Sequence, residues 1–296
     1  MQIQLERGAM KAVADTLGGE LISLRDGAGT EYIWSGDPAY WSGRNPILFP
    51  IVGELNNGTV VCNGRPYTMP RHGFARHSEF SVVDQGADFV VFSLTESAET
   101  LRQYPYPFLL LVRHRLTDHG FYTEFEIRNT GERGLPFCIG AHTAFRCPLF
   151  PGEAFRDYQL VFDRVETASS IMQTPDGTLS HDGRLPVLSQ SSTIPLDYRV
   201  FDQYDTLTFG GLCSKGVSLV HRSAGHGVHM EFSDFPMIAF WTRPNAGAPY
   251  ICLEPWHGCD AYDNESGMFE DKPHCIVLGQ GKIKKLRYTV DLIGGS

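Results

Sequence analysis

Three short segments each set an ionisable side chain among glycine, proline and aromatic residues: Pro70-Arg71-His72-Gly73-Phe74-Ala75-Arg76, Gly140-Ala141-His142-Thr143-Ala144-Phe145 and Cys252-Leu253-Glu254-Pro255-Trp256-His257-Gly258. That mixture suits the floor of a pocket built on strand ends. Glu254 follows the apolar run Tyr250-Ile251-Cys252-Leu253, so it is expected to be at least partly buried, which is costly for a carboxylate without partners. It reads either as half of a structural ion pair or as a base. Taken singly, His72 and His142 read as well-paired structural histidines. Together with Glu254 they offer a proton acceptor beside groups that titrate near neutrality, the combination that general acid–base chemistry requires.

The elements that would hold these residues are strands. Phe121 to Arg128 alternates apolar and polar side chains with period two, and the apolar run Leu109 to Leu116 precedes it across the polar turn Thr117-Asp118-His119-Gly120. The pair reads as an antiparallel hairpin. Near the carboxyl end Leu286, Tyr288, Val290 and Leu292 share one face of another strand. Phe89–Thr95, Val217–His221, Val228–Phe232, Met237–Trp241 and Tyr250–Leu253 are further strand-like stretches between turn-forming clusters. Long helical periodicity is absent, and 31 Gly and 18 Pro punctuate the chain, so the pattern favours a large antiparallel sandwich or barrel. No repeat or linker divides residues 1–296, which read as a single domain. The Ser-, Thr-, Pro- and Gly-rich stretch from Ser169 to Tyr198 reads as a long surface excursion.

Composition excludes several partners. The formal net charge of −9 is spread along the chain with no Lys/Arg run to follow a phosphate backbone, so nucleic acid is not expected. No apolar run approaches the roughly 18 residues of a membrane span. The amino terminus has no signal-peptide pattern, which places the protein in the cytoplasm. Seven cysteines, scattered and without a C-x-x-C pair, read as buried free thiols. The run His221-Arg222-Ser223-Ala224-Gly225-His226-Gly227-Val228-His229 matches no common zinc spacing and reads as solvated loop and strand histidines.

The order and spacing of the Arg71–Arg76, Gly140–Phe145 and Leu253–Trp256 segments resemble the aldose 1-epimerase (galactose mutarotase-like) superfamily, most closely its LacX-like branch. Asn45 to Gly53, Asp205 to Phe209 and Phe240 to Pro244 extend the resemblance over nearly the whole chain. It implies an all-β fold, a large antiparallel β-supersandwich. It also implies interconversion of the α and β anomers of an aldose by ring opening and closure, with no metal and no organic cofactor. On that resemblance Glu254 is the general base at the C1 hydroxyl, His142 the general acid at the ring oxygen and His72 a second donor to that oxygen. The expectation that follows is an ionised Glu254 and a His142 that holds its proton beside the carboxylate. Arg44, Arg71, Asp205 and Trp241 are candidates for sugar binding, since hydroxyls need directional polar partners and sugar C–H faces need a flat apolar surface.

Two positions depart from the galactose mutarotases. Glu54 stands where those enzymes have an arginine, and Phe74 where they have a second glycine, which leaves the preferred sugar open. The His-Gly-Phe-Ala-Arg form is shared with hexose-6-phosphate 1-epimerases, and Arg44, Arg71 and Arg76 are the residues that would hold a phosphate. The partner is therefore a small sugar or sugar phosphate, bound by a monomer or homodimer. A non-catalytic carbohydrate-binding protein is the alternative of a different class. Glycoside hydrolysis fits less well, because it uses two carboxylates and only Glu254 lies in a convincing segment.

Overall fold

The computed structural model describes residues 1–294. Alternating side chains produce the expected hairpin. Phe108–Leu116 and Gly120–Asn129 pair antiparallel with Phe121 opposite Leu116 and Phe125 opposite Val112, and most alternate residues on each are buried. On the other edge of Gly120–Asn129 lies Ile283–Ile293, which sets Leu286 against Phe125 and Tyr288 against Thr123. Leu286, Tyr288 and Val290 are buried, as their shared face requires.

Both pairs belong to a fifteen-stranded antiparallel sheet. One end of it runs Ile47–Leu48, Ile139–Ala141, Tyr250–His257, Met237–Trp241, Thr206–Gly210 and Tyr158–Gln173. The order then continues through Gly216–His221, Gly227–Glu231, Ile283–Ile293 and the hairpin to Phe89–Thr95 and Ser81–Gln85. A three-stranded sheet, Gln2–Arg7, Met10–Asp15 and Glu20–Arg25, stands apart from it, as do the two-stranded pairs Thr59–Cys62 with Arg65–Thr68 and Leu135–Phe137 with Ile276–Leu278. No helix among the described residues is long and apolar enough to cross a membrane.

One hydrophobic cluster joins buried side chains from Leu5 to Val290. Phe162, Phe209 and Phe240, for example, meet with ring centroids 5.9–6.2 Å apart. Each fully buried phenylalanine of this kind contributes roughly 1.5–3 kcal/mol of hydrophobic stabilisation before chain entropy is counted.

Two stretches differ from the sequence expectation. Ser169 to Tyr198 is mostly regular: Tyr158–Gln173 and Leu179–Pro195 form a long antiparallel hairpin interrupted by register shifts. Those shifts break the period-two pattern, and the largely unburied second strand carries little apolar alternation to read. Tyr250–His257 does not end at Leu253 but runs on through Glu254, Pro255 and Trp256. A carboxylate and a proline are poor strand formers alone. Here neighbours hold them, with Ala239 opposite Glu254 and Ile238 opposite Pro255.

Candidate active site

Register explains how residues over a hundred positions apart meet. Tyr250–His257 pairs with Ile139–Ala141 at Gly140↔Trp256 and with Thr143–Arg146 at Thr143↔Leu253, so His142 lies between two paired positions, directly across from Glu254. On the other edge Glu254 faces Ala239 and Cys252 faces Trp241, while Trp241 in turn faces Thr206. Directly opposed residues and every second residue share a face. One face of the sheet therefore presents Glu254, Trp256, His142, Trp241 and Thr206.

His72 comes from a loop that the backbone bends sharply. His72 (φ 65°) and Gly73 (φ 72°) are both left-handed, and a Cβ on Gly73 would sit 2.3 Å from the Phe49 carbonyl oxygen. Glycine is thus required there by both conformation and space. The turn is fastened by His72 N–H to the Gly53 carbonyl (2.8 Å) and Phe74 N–H to the Phe49 carbonyl (3.1 Å). Gly53 N–H donates back to His72 Nδ1 at 3.0 Å. Because Nδ1 accepts, a neutral His72 carries its proton on Nε2. Burial first, then the neighbouring His142, Arg76 and Arg71, holds the His72 pKa well below its usual value, which favours a neutral ring with Nε2–H as donor.

These residues line a cavity of about 270 Å³ with Trp41, Arg71, Arg76, Gln173, Asp205 and Asp260. That is below the roughly 300–1,000 Å³ typical of drug-sized ligands and suits a single small ring. Inside it, His142 Nε2 lies 3.3 Å from Glu254 Oε2, but without hydrogen-bond alignment: Glu254 Oε2, His142 Nδ1 and Trp256 Nε1 are all buried with no partner. Trp41 stacks on the His142 ring at 4.7 Å and Trp241 meets it edge-on at 5.7 Å. His72 and His142 lie perpendicular, 5.6 Å apart. Trp241 Nε1 donates to Asp205 Oδ1 at 3.0 Å, and Asp205 has the uncommon backbone angles φ 59°, ψ −77°. Such a conformation costs of order 1–3 kcal/mol and persists where surrounding contacts fix it.

The proton inventory overturns one expectation. Burial, reinforced by Asp260, raises the Glu254 pKa well above the ordinary carboxylate value. Burial, reinforced by Arg76, lowers His142 to about 3. Burial thus favours the uncharged form of each group, the reverse of the expected imidazolium and carboxylate. Desolvation of two facing charges outweighs their attraction here because neither has the additional hydrogen bonds that would stabilise its charge.

Arg71 and Arg76 reach the cavity as anticipated, together with Asp205 and Trp241. Arg44 does not line it; its Nε donates to the Ser35 carbonyl at 2.8 Å. Arg71 is doubly held, with Nε 3.1 Å from Glu54 Oε2 and Nη1 3.2 Å from Asp260 Oδ1. Asp260 also accepts Glu54 N–H at 2.7 Å, and Gly53 packs so tightly on it that a Cβ there would meet its Cγ at 2.3 Å. Burial raises the Asp260 pKa against the opposing pull of Arg71. Trp41, Gln173, Thr206, Trp256 and Asp260 were not singled out from the sequence. Trp256 was accessible to reasoning, standing two residues from Glu254 on a strand, whereas Asp260 follows the strand in a loop with no periodicity to place it.

Among the described residues, His142, Cys252 and Glu254 are the group of potential metal ligands that converges, within 4.8 Å. The histidines of the 221–229 run each find a separate partner. His221 Nδ1 accepts from Ala224 N–H at 3.1 Å, His226 lies 3.0 Å from Glu153, and His229 pairs with Ser218 at 3.0 Å.

The fold is a mostly antiparallel all-β sandwich with His72, His142 and Glu254 on one ring-sized cavity, and the sequence profile of the aldose 1-epimerase family matches residues 1–288. The chain belongs to that family. Among its relatives are the plasmid and chromosomal LacX proteins of Lactococcus lactis subsp. lactis, each 39% identical over 99% of this chain and 100% of their own length. A galactose mutarotase related enzyme from Lactobacillus acidophilus superposes with a TM-score of 0.94 at 27% identity, covering 100% of this chain and 98% of its own. A galactose mutarotase-like protein from Lactobacillus casei superposes at 0.90 and 28% identity, covering 99% and 100%.

Proposed function

We propose that the protein is an aldose 1-epimerase that interconverts the anomers of an unphosphorylated aldose. The observation that carries this reading is the His142–Glu254 pair: two buried titratable groups 3.3 Å apart that line a ring-sized cavity. Mutarotation removes a proton from the C1 hydroxyl and delivers one to the ring oxygen, so a site poised to give one proton and take one matches the reaction. In this reading Glu254 accepts from the C1 hydroxyl, His142 donates to the ring oxygen and His72 Nε2–H stabilises the charge that develops there. Closure on the other face reverses the transfers. Burial alone favours the protonated form of Glu254. Sugar hydroxyls that donate to the carboxylate favour its ionised form and shift the proton to His142.

The choice of a neutral sugar rests on Arg71. Glu54 and Asp260 already neutralise its guanidinium, and Arg44 lies outside the cavity wall. Arg76, half-buried at the cavity wall, with burial lowering its pKa against the opposing pull of Glu20, is the feature that favours a sugar 6-phosphate as second reading.

Exchange NMR of anomer interconversion with glucose, galactose and their 6-phosphates tests both. Acceleration of the free sugars, lost by about 10²–10⁴-fold in Glu254→Gln, is the expected result. Acceleration confined to the phosphates moves the assignment to the second reading, and saturable sugar binding without acceleration makes the protein a carbohydrate-binding module.

A further inference from the structure

Outside the cavity, the short ladder between Leu135–Phe137 and Ile276–Leu278 ends beside two cysteines. Its register is Leu135↔Leu278, Pro136↔Val277 and Phe137↔Ile276, so the next step sets Cys138 across from Cys275. The kind of pair follows from the hydrogen bonds. Pro136 has no N–H, so the exchanged ladder bonds fall at Leu135↔Leu278 and Phe137↔Ile276, and the alternation makes the following position a non-hydrogen-bonded one. Backbone donors agree: Cys138 N–H turns away to the Pro50 carbonyl (2.7 Å) and Cys275 N–H to the Lys272 carbonyl (2.9 Å). Opposed Cα atoms in such a pair lie roughly 4.5 Å apart with side chains close, inside the range a disulfide spans.

We propose that Cys138 and Cys275 form a reversible dithiol–disulfide site that low-molecular-weight disulfides oxidise. Both cysteines are free thiols here, Cys138 buried and Cys275 partly exposed. Cys275 is therefore the point of entry. Its thiolate attacks a disulfide R–S–S–R, forming a protein–S–S–R bond and expelling one R–S⁻. The Cys138 thiolate then attacks Cys275 Sγ, closing the internal disulfide and expelling the second R–S⁻. The two protein protons end on the two released thiols, so one external disulfide is reduced for one internal disulfide formed.

The surroundings suit this exchange. Contact with the Cys275 thiol is the largest influence on Cys138 and pulls its pKa below the usual thiol value, helped by Lys272. Lys272 is itself buried and stays charged through Glu265, 3.1 Å away. Contact with Cys138, then burial, pushes Cys275 up, so its place as the entry point rests on its exposure and its attack is slowed by the need to lose a proton first. Cys259 is the competing partner. It is fully buried, out of reach of an external disulfide, whereas Cys275 is partly exposed.

The full-length chain, reduced and then equilibrated with increasing ratios of oxidised to reduced glutathione, is alkylated, digested and mapped. The expected result is loss of two alkylatable thiols of the seven, a linked Cys138–Cys275 peptide pair and full reversal by dithiothreitol. The oxidised chain also melts roughly 5 °C or more higher than the reduced one, a shift absent from Cys275→Ser. Mapping is done on the unaltered chain, so it stands even where a variant folds poorly. Glutathione retained on Cys275 without closure, a Cys138–Cys259 linkage, or seven thiols surviving the most oxidising ratio each overturns the assignment.

Discussion

Two buried histidines sit in different parts of the same large sheet, and only one of them is satisfied. His114, on Phe108–Leu116, has both ring nitrogens engaged, Nδ1 with Thr123 Oγ1 at 2.9 Å and Nε2 with the Gly19 carbonyl at 2.8 Å. His142 has Nδ1 without a partner and Nε2 near, but not aligned with, an equally unpartnered Glu254 oxygen. Burial keeps both rings neutral, His114 titrating at about 4 and His142 at about 3. A depressed pKa therefore does not separate structure from function. Unmet hydrogen-bonding capacity does, because a buried polar atom left unpaired costs about 1–3 kcal/mol and is tolerated where a ligand supplies the partner.

Paired substitutions sharpen that contrast. His142→Asn should lower catalysed anomer exchange by about 10²–10⁴-fold while the thermal midpoint hardly moves. His114→Ala should do the reverse. It leaves Thr123 and the Gly19 carbonyl unpaired in a new cavity, costing about 3 kcal/mol, with exchange per folded molecule unchanged. Calorimetry and exchange NMR on both variants decide it, and a stability loss in His142→Asn as large as that in His114→Ala would break the distinction.

Acidification probes the same pair through linkage. A histidine whose folded pKa is depressed binds fewer protons folded than unfolded between the two values, so its contribution is complete above about 6.5 and is lost as pH falls through the folded value. For His114 the window runs from 6.5 to about 4, corresponding to about 3 kcal/mol. Glu254 has the opposite sign. Its raised pKa makes the folded state bind more protons, a contribution present below about 4.5 and lost as pH rises through the folded value. Glu254→Gln should therefore gain stability relative to the parent as pH rises into the alkaline range, a stability cost of the site that chemical denaturation at several pH values would reveal.

How much of this was legible follows from the same residues. The hairpin at 108–129, the 286–292 face and the pocket segments around His72, His142 and Glu254 were readable because alternation and motif order are local signals. Convergence of those segments rests on long-range register, Gly140↔Trp256 and Thr143↔Leu253, which no local pattern encodes. The protonation state was misjudged for a related reason. Pairing an imidazole with a carboxylate predicts charge in water, whereas both groups are buried here, with Trp41 and Trp241 against the His142 ring. Arg44 was chosen for its type and neighbourhood, and only the fold shows its guanidinium turned to Ser35.

The smallest effect concerns the far wall of the cavity, where charge is balanced rather than missing. Glu54 holds Arg71 through Nε at 3.1 Å while Asp260 holds it through Nη1 at 3.2 Å. Arg71 is 43% exposed in this pair, so the ion pair contributes little to stability, and Glu54→Gln should leave the thermal midpoint within about 2 °C. Its consequence is electrostatic: removing one of two carboxylates frees half of the guanidinium fork for an incoming anion. With Arg76 lining the same cavity, the variant should bind or turn over hexose 6-phosphates several-fold better relative to the free sugar, an increment of about 1 kcal/mol. Competition between glucose and glucose 6-phosphate in exchange NMR measures that ratio directly. An unchanged ratio would mean that Glu54 orients Arg71 without setting the charge preference of the site.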